Sequence, residues 1–232
     1  MWESSNSPGK KGHKCSIMEI GKIEESGKIG KTEKIALLGG TFNPIHIGHL
    51  FLADEVKTRL GYDKVLFVPV WRNPFKDIPD GAANRDRIEM LEAATKENPA
   101  FDVELCEIER ESVSYTSDTI AFLQKKYASV LAGKLALVIG DDLVHDFAKW
   151  HNVEFITENT DIVLANRTSA SGEKHFPYAH ISLDNAVLPV SSSGLRTRIK
   201  ENAAWQYLVP YPVAQYIKEH KLYDFSGCHD DE

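Results

Sequence analysis

From Lys34 onward, short continuous apolar runs alternate with stretches whose apolar residues recur at three- and four-residue spacing. The runs "KIALLG", "KVLFVPV", "KLALVIG" and "TDIVLANR" predict buried strands, and "FDVELCEI" alternates like a further strand over residues 101–108. Helical spacing marks residues 47–61, which stop at Gly61, and residues 84–98, with Asn84 as the expected cap and Pro99 as the stop. Residues 117–132 predict a third helix and "DDLVHDFAKW" a short one. The segments "SSSGLRTRIKEN" and "PYPVAQYIKEHKL" close the chain as a small helical part. Strands that are apolar on both faces and alternate with helices predict an α/β fold, a parallel sheet covered on each side. Ligands of such sheets bind beyond the carboxyl ends of the strands.

Residues 1–33 lack this patterning. They are rich in Gly, Lys and Ser and are expected to form a flexible leader before a single domain over residues 34–225, with an acidic tail at 226–232. The leader holds "GKT" at Gly30 to Thr32, but a P-loop needs a glycine where Glu25 stands, and the triplet precedes a strand where a P-loop follows one. The formal net charge of -7, from 27 basic and 34 acidic side chains, argues against broad binding to a nucleic-acid backbone. Three scattered cysteines, Cys15, Cys106 and Cys228, read as free thiols of a reducing compartment, and a cytoplasmic location is expected. No apolar run reaches the length of a membrane span, and the N-terminus lacks the apolar core of a signal peptide.

The chemistry concentrates in "IALLGGTFNPIHIGHLFLADEV". Gly39 and Gly40 end the first strand, so the backbone can approach something bulky. Thr41 follows, and a helix start then offers unpaired N–H groups and partial positive charge to an anion. His46 and His49 stand three apart at that start, so both rings can face one spot and donate to phosphate oxygens. Zinc is the weaker reading, because no cysteine or acid lies at ligand spacing beside them.

The segment "GGTFNPIHIGH" resembles the signature of the HIGH-motif nucleotidyltransferases, and more closely that of the bacterial nicotinate-nucleotide adenylyltransferases. The likeness continues in order through "VPVWRNPFK", "RDRIEML", "SYTSDT", "IGDDLVHDFAKW", "LANR", "VSSSGLR" and "VAQYIKEHKLY", from about Ile35 to Tyr223. Asn43 stands where that family usually has Asp, Phe75 where it often has His, and Ser193 where Thr is usual; Thr168-Ser169 replaces the usual Pro-Gly.

The resemblance implies a Rossmann-like sheet and a defined reaction. The 5′-phosphate of nicotinate mononucleotide attacks the α-phosphorus of ATP, giving deamido-NAD and pyrophosphate in NAD biosynthesis. It implies His46, His49 and Arg196 as the catalytic set. It places ATP at Gly39, Gly40, Thr41, Phe42, Gly48, Gly140, Asp142, Ser192 and Ser193, with Asp142 on the adenosine ribose. It places the acceptor at Lys76, Thr116, Trp150 and Arg167, with Trp150 stacked on the pyridine ring. Mg²⁺ would ride on the triphosphate, held mostly by phosphate oxygens and water. The partners implied are ATP and nicotinate mononucleotide, without nucleic acid or membrane; a homo-oligomer is compatible with the sequence.

Plainer readings stand beside these. The run of serines from Ser191 to Ser193 reads alone as a helix cap. Arg196 reads alone as one solvated charge, Trp150 as core and Arg167 as structural. His145, His151, His175 and His220 read as surface residues, and Cys106 as core. Rival functions are a nicotinamide mononucleotide or dual-specificity adenylyltransferase, a pantetheine-phosphate or cytidylyl transferase, and a nucleotide-binding regulator without catalysis. Intact His46, His49 and Arg196 speak against the last.

Overall fold

A computed structural model of the chain describes residues 32–72, 81–166 and 175–226. Six strands form one parallel sheet: β1 (Ile35–Gly40), β2 (Lys64–Pro69), β3 (Phe101–Val103), β4 (Leu135–Gly140), β5 (Thr160–Ala165) and β6 (Ile181–Leu183), in the order β3-β2-β1-β4-β5-β6. The order reverses between β1 and β4, where an open α/β sheet has its ligand crevice. Leu38 is level with Val138 in the ladder, so Gly40 and Gly140 end these two central strands side by side.

Alternation of side chains along each strand feeds two separate cores. Ala36, Leu38, Val65, Phe67, Ala136 and Val138 face one side. There they meet α1 (Ile47–Leu60), α2 (Asn84–Thr95), α7 (Ser192–Lys200) and α8 (Tyr211–Glu219) through Ala53, Met90, Leu195 and Val213. Ile35, Leu37, Leu66, Val68, Leu135, Leu137 and Ile139 face the other side. That side is covered by α3 (Cys106–Arg110), α4 (Thr116–Lys126), α5 (Val144–Phe147) and α6 (Val153–Asn159). Among the described residues no helix is long and apolar enough to cross a membrane.

Helix α1 ends where the sequence places its end, with Gly61 left-handed at φ 68°. Other expectations are corrected. The alternation over residues 101–108 is strand only to Val103. Glu104 is then buried against Lys126 (2.7 Å) and Tyr127, and Cys106 lies in helix α3. Ala83, not Asn84, caps α2; Asn84 is its first residue and its side-chain oxygen accepts from Arg87. Helix α4 stops at Lys126, because the chain turns there to let Leu131 pair with Glu33. Glu33, assigned to the leader, therefore joins the ordered body; residues 1–31 and 227–232 lie outside the described residues, as does most of the "GKT" triplet. The expectations missed α6 and β6. Ile181 is 40% exposed on a three-residue edge strand, so no apolar run announces β6.

Candidate active site

The loop leaving β1 is held from three sides. Arg87 is 5% exposed and reaches back from α2 to donate to the carbonyls of Thr41 (2.6 Å) and Val70 (2.7 Å). It thus ties together the exits of β1 and β2. Burial lowers its pKa, while the nearby Tyr223 raises it. Arg196 donates from α7 to the Asn43 carbonyl (2.8 Å), and Ser192 donates to the Pro44 carbonyl (2.9 Å). The Asn43 side-chain oxygen accepts from the Ala82 N–H (3.1 Å) and the Tyr223 hydroxyl (2.8 Å). Burial pushes the Tyr223 phenol well above its ordinary pKa, which keeps the hydroxyl protonated as a donor. Phe42 takes φ 46° in this loop, and the Asn43–Pro44 peptide is cis.

The two histidines come together as a stack. His46 caps α1 and is 2% exposed; its ring lies 3.7 Å from that of His49, with 25° between the planes. Phe42, itself buried, meets His49 edge-on at 5.1 Å. The His46 backbone N–H donates to His49 Nδ1 (3.3 Å). An acceptor nitrogen carries no proton, so the neutral His49 ring has its proton on Nε2 and that nitrogen is the donor. His49 is the more accessible of the pair.

The glycines differ in purpose. A Cβ added to Gly39 would touch no described atom within 4 Å, and its φ is not left-handed, so packing does not explain the glycine. A Cβ on Gly40 would meet the Phe42 ring at 3.1 Å. One on Gly48 would meet Val190 at 2.9 Å and the His46 ring at 3.1 Å, so Gly48 allows close packing at the start of α1. The Phe42 side chain is buried, with its ring packed between His49 and Phe67.

Across the crevice, Gly140 ends β4 and is followed by buried Asp141 and exposed Asp142 in a 3₁₀ turn. Ser191 caps α7, accepting from Gly194 N–H (3.1 Å), while the Ser193 hydroxyl lies 3.3 Å from that of Ser191. The cap reading thus holds for Ser191, and Ser192 turns inward. Thr116 opens α4 and is half-buried. Trp150 follows α5, half-buried against Phe147 at 5.0 Å. Lys76 and Arg167 lie outside the described residues, as do Cys15 and Cys228.

Cys106 is buried, and burial beside Glu104 and Glu107 pushes its thiol up to about 12, as befits a core residue. Glu107 on α3 accepts from Thr119 (2.6 Å), and burial outweighs that hydrogen bond and raises its pKa. The folded state therefore holds this proton more tightly than the unfolded chain. The resulting stability is present below the unfolded pKa and is lost as pH rises through the folded value. Melting temperatures of wild type and Glu107→Gln between pH 4 and pH 8 are expected to show a shallower decline with rising pH in the variant, whose amide oxygen still accepts from Thr119. Equal slopes would contradict this.

Sequence reasoning assigned no role to Arg87, Tyr223 or His151. Arg87 had a signal: it lies on the apolar stripe with Met90, Leu91 and Thr95, where a charged residue must be caged.

Comparison with known proteins fits this geometry. The Cytidylyltransferase-like family profile matches residues 37–198, which sets the class. A probable nicotinate-nucleotide adenylyltransferase of Treponema pallidum is 41% identical over 201 residues, covering 82% of this chain and 98% of that protein. A probable enzyme of the same name from Bacillus pumilus is 38% identical over 192 residues, covering 83% and 99%. The solved nicotinic acid mononucleotide adenylyltransferase of Plasmodium falciparum, complexed with NaAD, superposes with a TM-score of 0.65 at 18% identity, over 83% of this chain and 98% of that one. The chain belongs to the nicotinate-nucleotide adenylyltransferase family, nucleotidyltransferases of NAD biosynthesis.

Proposed function

We propose that this protein transfers the adenylyl group of ATP to nicotinate mononucleotide, with the reaction centre at His49. The observation that carries the reading is the fixed His49 ring, an Nε2 donor where β1 meets α1 at the sheet's switch point. An oxygen of the acceptor's 5′-phosphate forms a bond to the α-phosphorus. The bond from that phosphorus to the α–β bridging oxygen breaks, and its electron pair leaves on pyrophosphate. The attacking oxygen is already anionic, so no protein nucleophile is needed; alignment and charge stabilisation carry the catalysis.

His49 Nε2–H donates toward the bridging region as charge builds there, and His46 backs its ring. Arg196 stands beside the same loop to neutralise the leaving pyrophosphate, with the start of α7 behind it. The bare backbone at Gly39 leaves room for the nucleotide, and Asp142 at the end of β4 suits a ribose hydroxyl. Mg²⁺ bound with ATP would offset phosphate charge. That ion would be held mostly by phosphate oxygens and water. A cytoplasmic location suits these substrates.

The pyridine ring is assigned to the space between Trp150 and the start of α4. No side chain among the described residues caps that helix, so the N–H groups of Thr116 and Ser117 suit a carboxylate, which needs only donors. We expect kcat/KM for nicotinate mononucleotide to exceed that for nicotinamide mononucleotide by about tenfold or more, which takes only ~1.4 kcal/mol of differential transition-state binding. The comparison is made at matched ATP and Mg²⁺. Equal efficiencies would mark a dual-specificity enzyme, and preference for the amide would overturn the assignment of the ring site.

A further inference from the structure

We propose that His151 is a positioning residue for the acceptor, fastening the Trp150 turn to the start of α4; this rests on the ring site assigned above. His151 Nδ1 lies 3.1 Å from the Ser117 hydroxyl, and its ring stacks on Tyr115 at 4.4 Å with 30° between the planes. Tyr115 and Ser117 flank Thr116, and Trp150 directly precedes His151. One imidazole therefore joins the two walls assigned to the pyridine ring.

Each wall has a reason to need the tie. The Trp150 turn ends at Asn152, whose φ of 54° is a left-handed conformation that asparagine adopts readily, and the chain reverses there into α6. Trp150 itself is held locally by its N–H on the Phe147 carbonyl (3.0 Å) and by the Phe147 ring, and Lys149 before it is bonded to Asp146. On the other wall, Ser117 is 3% exposed, and a buried hydroxyl needs a polar partner. At their far ends α4 and α6 are joined by Gln124 donating to the Asn159 carbonyl (3.1 Å). His151 supplies the corresponding link at the end nearest the ligand crevice.

The triphosphate cradle proposed above is built from other elements, β1, α1 and α7, and only the ribose contact at Asp142 lies on the segment that leads to Trp150. Loosening His151 therefore disturbs the fit between pyridine ring and α4 donors and leaves the triphosphate cradle in place. A residue of merely structural importance would weaken both substrates together.

The test compares wild type, His151→Ala and His151→Phe, with KM and kcat measured separately for nicotinate mononucleotide and ATP, and melting temperature measured alongside. We expect His151→Ala to raise KM for nicotinate mononucleotide by about tenfold while KM for ATP stays within about twofold. His151→Phe, which keeps a ring on Tyr115 but loses the Ser117 contact, is expected to fall between. An unchanged acceptor KM overturns the proposal. So does a parallel rise in both KM values with a fall in melting temperature, which marks a folding role only. Failure of the proposed reaction itself is distinguishable, because wild type would then show no turnover of nicotinate mononucleotide, and the proposal would fall with it.

Discussion

His49→Ala is expected to lower kcat by roughly 10²-fold or more, the usual loss when one preorganised transition-state donor is removed. The size of the effect follows from how the ring is held. Phe42 meets it edge-on at 5.1 Å, His46 lies against it at 3.7 Å, and the His46 N–H occupies Nδ1. Nε2–H therefore needs little reorganisation before it acts, and an alanine offers no substitute donor. The two ring contacts are lost as well, so a stability cost of about 1 kcal/mol accompanies the variant. It should remain folded, since Phe42 keeps its contact with Phe67 in the core. Pyrophosphate release at saturating substrates, with melting temperature recorded in parallel, checks both points. A folded variant with near-normal turnover would contradict the role of His49.

Arg87→Met is expected to destabilise the fold by roughly 2–5 kcal/mol, because the part-buried carbonyls of Thr41 and Val70 both lose their donor. For a domain of this size that corresponds to a fall in melting temperature of roughly 5–20 °C. Methionine fills most of the arginine's apolar stem, so packing loss alone does not account for such a drop. Activity should fall too, because the exits of β1 and β2 lose their common tie beside the loop that carries His46. Thermal unfolding followed by circular dichroism reads the first effect. A melting temperature within about 2 °C of wild type would show that the carbonyls find other partners.

Arg87 also shows where the sequence was readable and where it was not. The helix bearing it was visible from its periodicity, and its place on the apolar stripe marks Arg87 as the charge that turns inward; what it meets there was not legible, because the carbonyls of Thr41 and Val70 come from other segments of the chain. The central strands β1, β2 and β4 were plain because their residues are apolar on both faces. Segments whose character depends on neighbours were not. The alternation in "FDVELCEI" is a coincidence of a three-residue strand, a buried Glu104 and a short helix. In the site, the glycines and the HIGH pair were legible because strand end, turn and helix start are contiguous. The pinning of that loop by Arg196, Ser192 and Tyr223 was not, because those side chains arrive from the far end of the chain. His151, read as a surface residue, is exposed and yet lies 3.1 Å from the buried Ser117 hydroxyl of helix α4, and exposure alone does not reveal such a contact.

The central claim is direct transfer of an adenylyl group at the crevice between β1 and β4. Incubation of the purified protein with Mg²⁺ and ATP labelled at the α-phosphate, with and without nicotinate mononucleotide, tests it most directly. The account predicts that label passes into the dinucleotide and that unlabelled pyrophosphate forms in a one-to-one ratio with it, only when the acceptor is present. Pyrophosphate release without acceptor, or label retained on the protein, would contradict it.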